Sequence, residues 1–149
     1  MFSSISYAEW MYTEQKDPFN DNDRSYIHAD LMYETDEELY IQARCDFDGL
    51  NIALGHRYLA GDSDDEVRVQ MRVDQNEPHG PRYWSLNPDN ESSWMPMRDV
   101  PNMIAQMKLG TRLVIRVVDP HDGDTLDQSV SLAGFSAAVE KLSCYKFNI

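Results

Sequence analysis

Residues 66–73, Glu66-Val67-Arg68-Val69-Gln70-Met71-Arg72-Val73, alternate polar and apolar side chains without a break. A period of two puts Val67, Val69, Met71 and Val73 on one face of an extended chain, the pattern of a half-buried strand in an antiparallel sheet. Leu39, Ile41, Ala43, Cys45 and Phe47 repeat it, with Tyr40, Gln42 and Arg44 turned outward. Thr111–Val118 is β-branched and apolar enough for a central strand. Weaker strands are expected at Glu9–Glu14, Ser25–Tyr33, Leu50–Leu54, Arg82–Leu86 and Thr125–Leu132. Turn chemistry separates them at Asp48-Gly49, at Asn87-Pro88-Asp89-Asn90 and at Asp119–Gly123.

Two segments read as helix. Asp99–Leu109 has an acid at its start, Pro101 in its first turn and Gly110 just past its end. Its Val100, Met103, Ile104 and Met107 form one apolar stripe suited to a core. Ser136 is placed to cap a last helix, about 136–145, whose Phe135, Val139 and Leu142 face inward. The whole chain, 1–149, is therefore expected to be a single mostly β domain. Its form is an antiparallel β-sandwich or partly open barrel with two short helices, about 99–109 and 136–145.

Composition narrows the function. The chain carries 26 Asp and Glu against 13 Lys and Arg, a net charge of -13. Direct binding to nucleic acid or to an anionic membrane needs a cationic face, so neither is expected. With 42% hydrophobic and 11% aromatic residues, the chain is a folded domain and not an acidic tail. No apolar run approaches the roughly 20 residues of a membrane span. The opening MFSSISYAEW has no basic segment and no long apolar segment, so the expected location is the cytoplasm; an export signal preceding this sequence would instead mean the periplasm.

The stretch Asp119-Pro120-His121-Asp122-Gly123-Asp124 resembles a calcium loop at first sight. An EF-type loop needs oxygen ligands at its first, third and fifth positions. Counting from Asp119, the third and fifth are His121 and Gly123; counting from Asp122, the fifth is Leu126. A hairpin turn fits better, with Pro120 fixing one dihedral and Gly123 supplying a positive φ. Ser85 lacks the flanking glycines of a nucleophile elbow, and His28, His56, His79 and His121 are scattered without metal-ligand spacing. The expectation is a protein that is not an enzyme and uses no metal or organic cofactor.

Trp10, Ala43-Arg44-Cys45, Val69–Asp74, Trp84-Ser85-Leu86, Leu113–Val117 followed by Pro120 and Gly123, Ser131–Phe135 and Cys144 occur in an order and spacing that resemble the VasI/TagO-like proteins associated with type VI secretion. The resemblance covers about Trp10 to Cys144. It implies a cysteine pair, Cys45 and Cys144, close in space, with the last helix docked near the strand that carries Cys45. Closing that loop would add about 4 kcal/mol if oxidised. In a cytosolic, phage-borne relative of the family both would stay thiols.

The acids are clustered. Asp17/Asp21/Asp23, Glu34/Asp36/Glu37/Glu38, Asp46/Asp48, Asp62/Asp64/Asp65/Glu66, Asp89/Glu91 and Asp119/Asp122/Asp124/Asp127 hold 19 of the 26 carboxylates, nearly all beside turns. Turns of an antiparallel sandwich gather at its two ends, so several clusters are expected to share a rim. The candidate protein-binding residues are Asp62, Asp64, Asp65, Glu66, Glu34, Asp36, Glu37 and Glu38, with Trp94 (beside Met95 and Met97 in the turn 91–96) and Tyr58 as exposed anchors. The expected function is a small acidic inhibitor, anti-defence or nucleic-acid-mimicking, whose partner is a protein with a basic or nucleic-acid-binding surface. The alternative is an accessory protein of type VI secretion.

Overall fold

The computed structural model describes residues 9–30, 39–46, 48–60 and 65–146. Nine strands form one antiparallel sheet in the order β1-β2-β3-β4-β7-β6-β5-β8-β9. They are β1 (Glu9–Thr13), β2 (Tyr26–Asp30), β3 (Leu39–Asp46), β4 (Gly49–His56), β5 (Glu66–Val73), β6 (His79–Leu86), β7 (Ser92–Trp94), β8 (Arg112–Val118) and β9 (Thr125–Ser131). A 3₁₀ turn at Met97–Asp99 leads into α1 (Val100–Leu109), and two short helices close the chain, α2 (Phe135–Val139) and α3 (Ser143–Lys146).

The sheet curls but does not close by backbone pairing. Its two edge strands are linked by a side chain: the Trp10 indole N–H on β1 donates to the carbonyl of Ser131 on β9 at 2.9 Å. The same ring meets Phe135 of α2 edge-on, with centroids 4.9 Å apart, a favoured aromatic geometry. Inside the curl, the alternating residues of β3, β5 and β8 make one core with Trp84, Phe135 and the stripe Val100, Met103, Ile104 and Met107 of α1. Fully burying each such aliphatic side chain contributes about 1.5–3 kcal/mol.

The last helical region departs from expectation. One helix over 136–145 is replaced by α2 and α3, with i→i+3 bonds between them from Lys141 N–H to the Ala138 carbonyl and from Leu142 N–H to the Val139 carbonyl, both 3.1 Å. Phe135, Ala138, Val139 and Leu142 still face the core. Ser136 lies inside α2; the N-cap is Gly134, at φ 85°, and no side chain caps the helix.

β7 departs further. The segment expected as a turn is a three-residue strand inserted between β4 and β6, pairing Ala53 with Trp94 on one side and Ser85 with Trp94 on the other. β4 is buried on both faces. On its outer face Gly55 lies opposite Tyr40, and the tyrosine ring occupies the space a side chain at 55 would need.

Candidate interaction site at the loop end of the sheet

All odd-numbered strands run one way and all even-numbered strands the other, because every pairing is antiparallel. The connections β2–β3, β4–β5, β6–β7 and β8–β9 therefore leave and re-enter the sheet at one end. The turns β1–β2, β3–β4 and β5–β6 lie at the other, with the helices. Asp65, Glu66, Asp89, Glu91, Asp119, Asp122 and Asp124 are at the loop end. Asp17, Asp21, Asp23, Asp46 and Asp48 are at the helix end, so these two acidic clusters do not join that rim. Asp127 points from the outer face of β9, where the Arg116 guanidinium grips both its oxygens at 2.9 and 2.8 Å and holds its carboxyl below the usual range. Glu34, Asp36, Glu37, Glu38, Asp62 and Asp64 lie outside the described residues.

The described parts of the β4–β5, β6–β7 and β8–β9 loops are bonded to one another or to the adjoining strands. Leu59 is fully buried, which anchors the β4–β5 loop and leaves its neighbour Tyr58 63% exposed. The Asn90 side-chain amide donates to the Leu59 carbonyl at 2.8 Å, and the Leu59 N–H donates back to the Asn90 carbonyl at 2.9 Å. The Arg57 guanidinium donates to the Asp119 carboxylate at 2.9 Å, joining the β4–β5 loop to the β8–β9 turn. Leu86 N–H donates to the Asp65 carbonyl at 2.9 Å.

The β8–β9 turn has hairpin chemistry. Asp119 N–H donates to the Asp124 carbonyl and Gly123 N–H to the Asp119 carbonyl, each at 2.8 Å, and Gly123 sits at φ 78°. Asp119 also accepts the His121 N–H, and Asp122 the Asp124 N–H. These are the local carboxylate bonds of Asx turns. Among the described residues no group of three or more His, Cys, Asp or Glu is placed to hold a metal ion.

Trp94 differs from the exposed anchor expected. It is half-buried on β7, its indole N–H donating to the Asn87 side-chain carbonyl at 2.7 Å. Met95 is buried in the core, and only Met97 is exposed, in the 3₁₀ turn. The three therefore make no common patch, because strand alternation sends Trp94 and Met95 to opposite faces.

A second pair escaped the sequence altogether. His56 Nε2 lies 2.7 Å from the Ser93 hydroxyl, and His56 Nδ1 lies 2.8 Å from the Arg57 carbonyl. The carbonyl fixes the proton on Nδ1, so Nε2 accepts from Ser93. The pair resembles a base and its hydroxyl, but Ser93 is fully buried and His56 nearly so. No substrate reaches the hydroxyl, and the bond serves to hold β7 to β4. Burial pushes the His56 imidazole below its ordinary pKa, against the opposing bond to the Arg57 carbonyl. Nothing in the spacing of His56 and Ser93 signals this, because the contact exists only once β7 pairs with β4.

At the helix end, Cys45 of β3 and Cys144 of α3 are disulfide-bonded, their Cα atoms 5.7 Å apart. The two cysteines thus lie together where the last helix docks beside β3, the placement the family resemblance implied. Around the bond, Cys45 N–H donates to the Ser25 carbonyl at 2.9 Å, and the Ser143 hydroxyl donates to the Asp23 carboxylate. Burial raises the Asp23 pKa, but the bonds from Ser143 and Ser25 outweigh it and the net shift is downward.

No protein-family model matches the chain, and no curated protein matches it. Among solved structures it is similar to the crystal structure of invasion associated protein B from Bartonella henselae, with a TM-score of 0.59 and 15% identity over 96% of each chain. The likeness is one of fold. Among the described residues no helix is long and apolar enough to cross a membrane.

Proposed function

We propose that the protein is a non-enzymatic protein-binding module that docks a basic partner surface through the loop end of its sheet. The observation that carries this reading is the convergence of Asp65, Glu66, Asp89, Glu91, Asp122 and Asp124 on loops bonded to one another through Arg57–Asp119 and Asn90–Leu59. A charged rim held in fixed geometry loses less side-chain and loop entropy on docking than the same charges on free loops, and complementary charge speeds encounter with a basic surface. Tyr58, projecting from the same rim, adds an aromatic contact of the type enriched at interface centres.

The test is a pull-down from native extract, followed by titration of the captured partner at rising salt. Affinity is expected to fall steeply between low and moderate salt, and further when Asp122→Lys and Asp124→Lys reverse the exposed turn charges. A partner whose affinity ignores both changes overturns the acidic-rim reading.

Two settings fit this module. One is an inhibitor of a nucleic-acid-handling complex, whose basic groove an acidic rim would occupy. The other is an accessory protein of a secretion system, and the disulfide favours it, since such bonds persist in oxidising compartments and are rare in the cytosol. Trapping the free thiols in intact cells before lysis decides between them: an oxidised pair supports the second, a reduced pair the first.

A further inference from the structure

An apolar recess of about 200 Å³ opens at the helix end, between α1, α3 and the start of β4. Leu50, Met97 and Tyr145 line it, together with Val100, Ile104 and Ala105 from α1. Its size limits its occupant. Drug-sized ligands take roughly 300–1,000 Å³, whereas an apolar cavity of about 150 Å³ holds a benzene ring. One ring or a short alkyl chain therefore fits.

A cation stands next to Tyr145. Lys108 lies one helical turn beyond Ile104 on α1. Its ammonium donates to the Tyr145 hydroxyl at 2.7 Å and to Glu140 at 3.0 Å, and sits 4.8 Å over the Tyr145 ring. Hydrogen bonds donated to Tyr145 and Glu140 hold this amine above its ordinary pKa, so it is charged at neutral pH. An ammonium has three donors, and these two contacts leave one for a ligand. Glu140, with a side chain 56% exposed, is readily displaced into water. The wall opposite α1 is fixed, because Tyr145 follows Cys144, which is covalently tied to β3.

We propose that this recess binds a short amphipathic carboxylate, an aryl- or alkyl-alkanoate. Its apolar body lies against Leu50, Ile104 and Ala105, and its carboxylate meets Lys108 Nζ and the Tyr145 hydroxyl. Of the net charge of -13, the part farther than about 8 Å is screened by salt, and the Glu140 carboxylate, 3.0 Å from the same ammonium, must give way to the ligand. The contact with Lys108 lies inside that distance.

The test titrates the full chain with 4-phenylbutyrate and with its uncharged amide, 4-phenylbutanamide, by calorimetry. The acid is expected to bind at least about tenfold more tightly than the amide, as a charge-assisted bond implies. Lys108→Met should remove that difference and Lys108→Arg should keep it. Ala105→Trp, at an exposed helix position, should fill the recess and abolish both. Thermal melts establish that each variant is folded, and the acid-to-amide ratio of the unaltered protein decides the matter even if Lys108→Met unfolds. Absence of binding, equal affinity for acid and amide, or undiminished binding by Ala105→Trp each overturns the proposal.

Discussion

The Arg57 guanidinium reaches the Asp119 carboxylate at 2.9 Å from a loop 62 residues away in sequence, and the carboxylate it meets is 5% exposed. The arginine itself is 40% exposed, so its charge alone contributes little. The buried carboxylate is the costly partner when left unpaired. Arg57→Met is expected to lower stability by about 1–3 kcal/mol, seen as a reduced denaturant midpoint. Faster amide exchange across 119–124 should accompany it. An unchanged midpoint would show that the ion pair does not hold the rim together.

Burial lowers the pKa of His56 and, despite the nearby Asp99 carboxylate, that of His79. The unfolded chain then binds protons more tightly than the folded one. Their contribution is fully present above the unfolded value of about 6.5 and is lost as pH falls below it. Asp23 and Asp127 have lowered pKa values too, so their contribution is lost only under more acid conditions, below the ordinary carboxylate range. A melting-temperature profile should fall first as pH drops below about 6.5 and again below about pH 4. The variant His56→Gln should flatten the first step in part, leaving the share of His79; a profile unchanged by that substitution would remove His56 as its cause.

The disulfide spans a sequence separation of 99. Closing a loop of that size limits the unfolded chain, and the stabilisation expected from loop entropy is about 4 kcal/mol. Melting with and without a dithiol reductant measures it. The Cys144→Ser variant should melt at the reduced temperature and no longer respond to the reductant.

Phe135 is fully buried and carries the Trp10 ring on its edge. Phe135→Ala should cost about 3–5 kcal/mol and release Trp10 from the end of β9. Tryptophan fluorescence of the folded variant would then shift to the red. A stable variant with unshifted emission would mean that the edge strands are held together by other contacts.

Much of the sheet was legible because two-residue alternation survives any tertiary context that buries one face. Glu66–Val73 is β5 to the residue, and Leu39–Asp46 is β3. β7 was not legible: three residues of Ser92-Ser93-Trp94 carry no period, and they become a strand only because β4 and β6 each offer an unpaired edge. That one omission explains the misplacement of Trp94 and the missed His56–Ser93 bond. The last helix illustrates a second limit. Phe135, Ala138, Val139 and Leu142 fit a helical stripe, but a spacing of three or four is equally satisfied by two short helices with tight turns between them. At the loop end, acid composition was legible as clusters, whereas which clusters share an end depends on strand direction.

The placement of β7 and the disulfide together govern how the molecule answers a pull. The ladder joining β4 to β6 runs only through that three-residue strand, which makes it the seam where a sheared sheet would part first. The bond from Cys45 to Cys144 ties α3, at the far end of the chain, to β3 in covalent form. Tension applied at the two termini would travel through Cys45 and Cys144 and bypass every residue between them, including the seam, the rim loops and α1. Extension would stop once the segments before Cys45 and after Cys144 were drawn straight. In the reduced protein the load would reach the residues between the two cysteines, and the chain would pay out about 3.3–3.6 Å for each residue released from the loop.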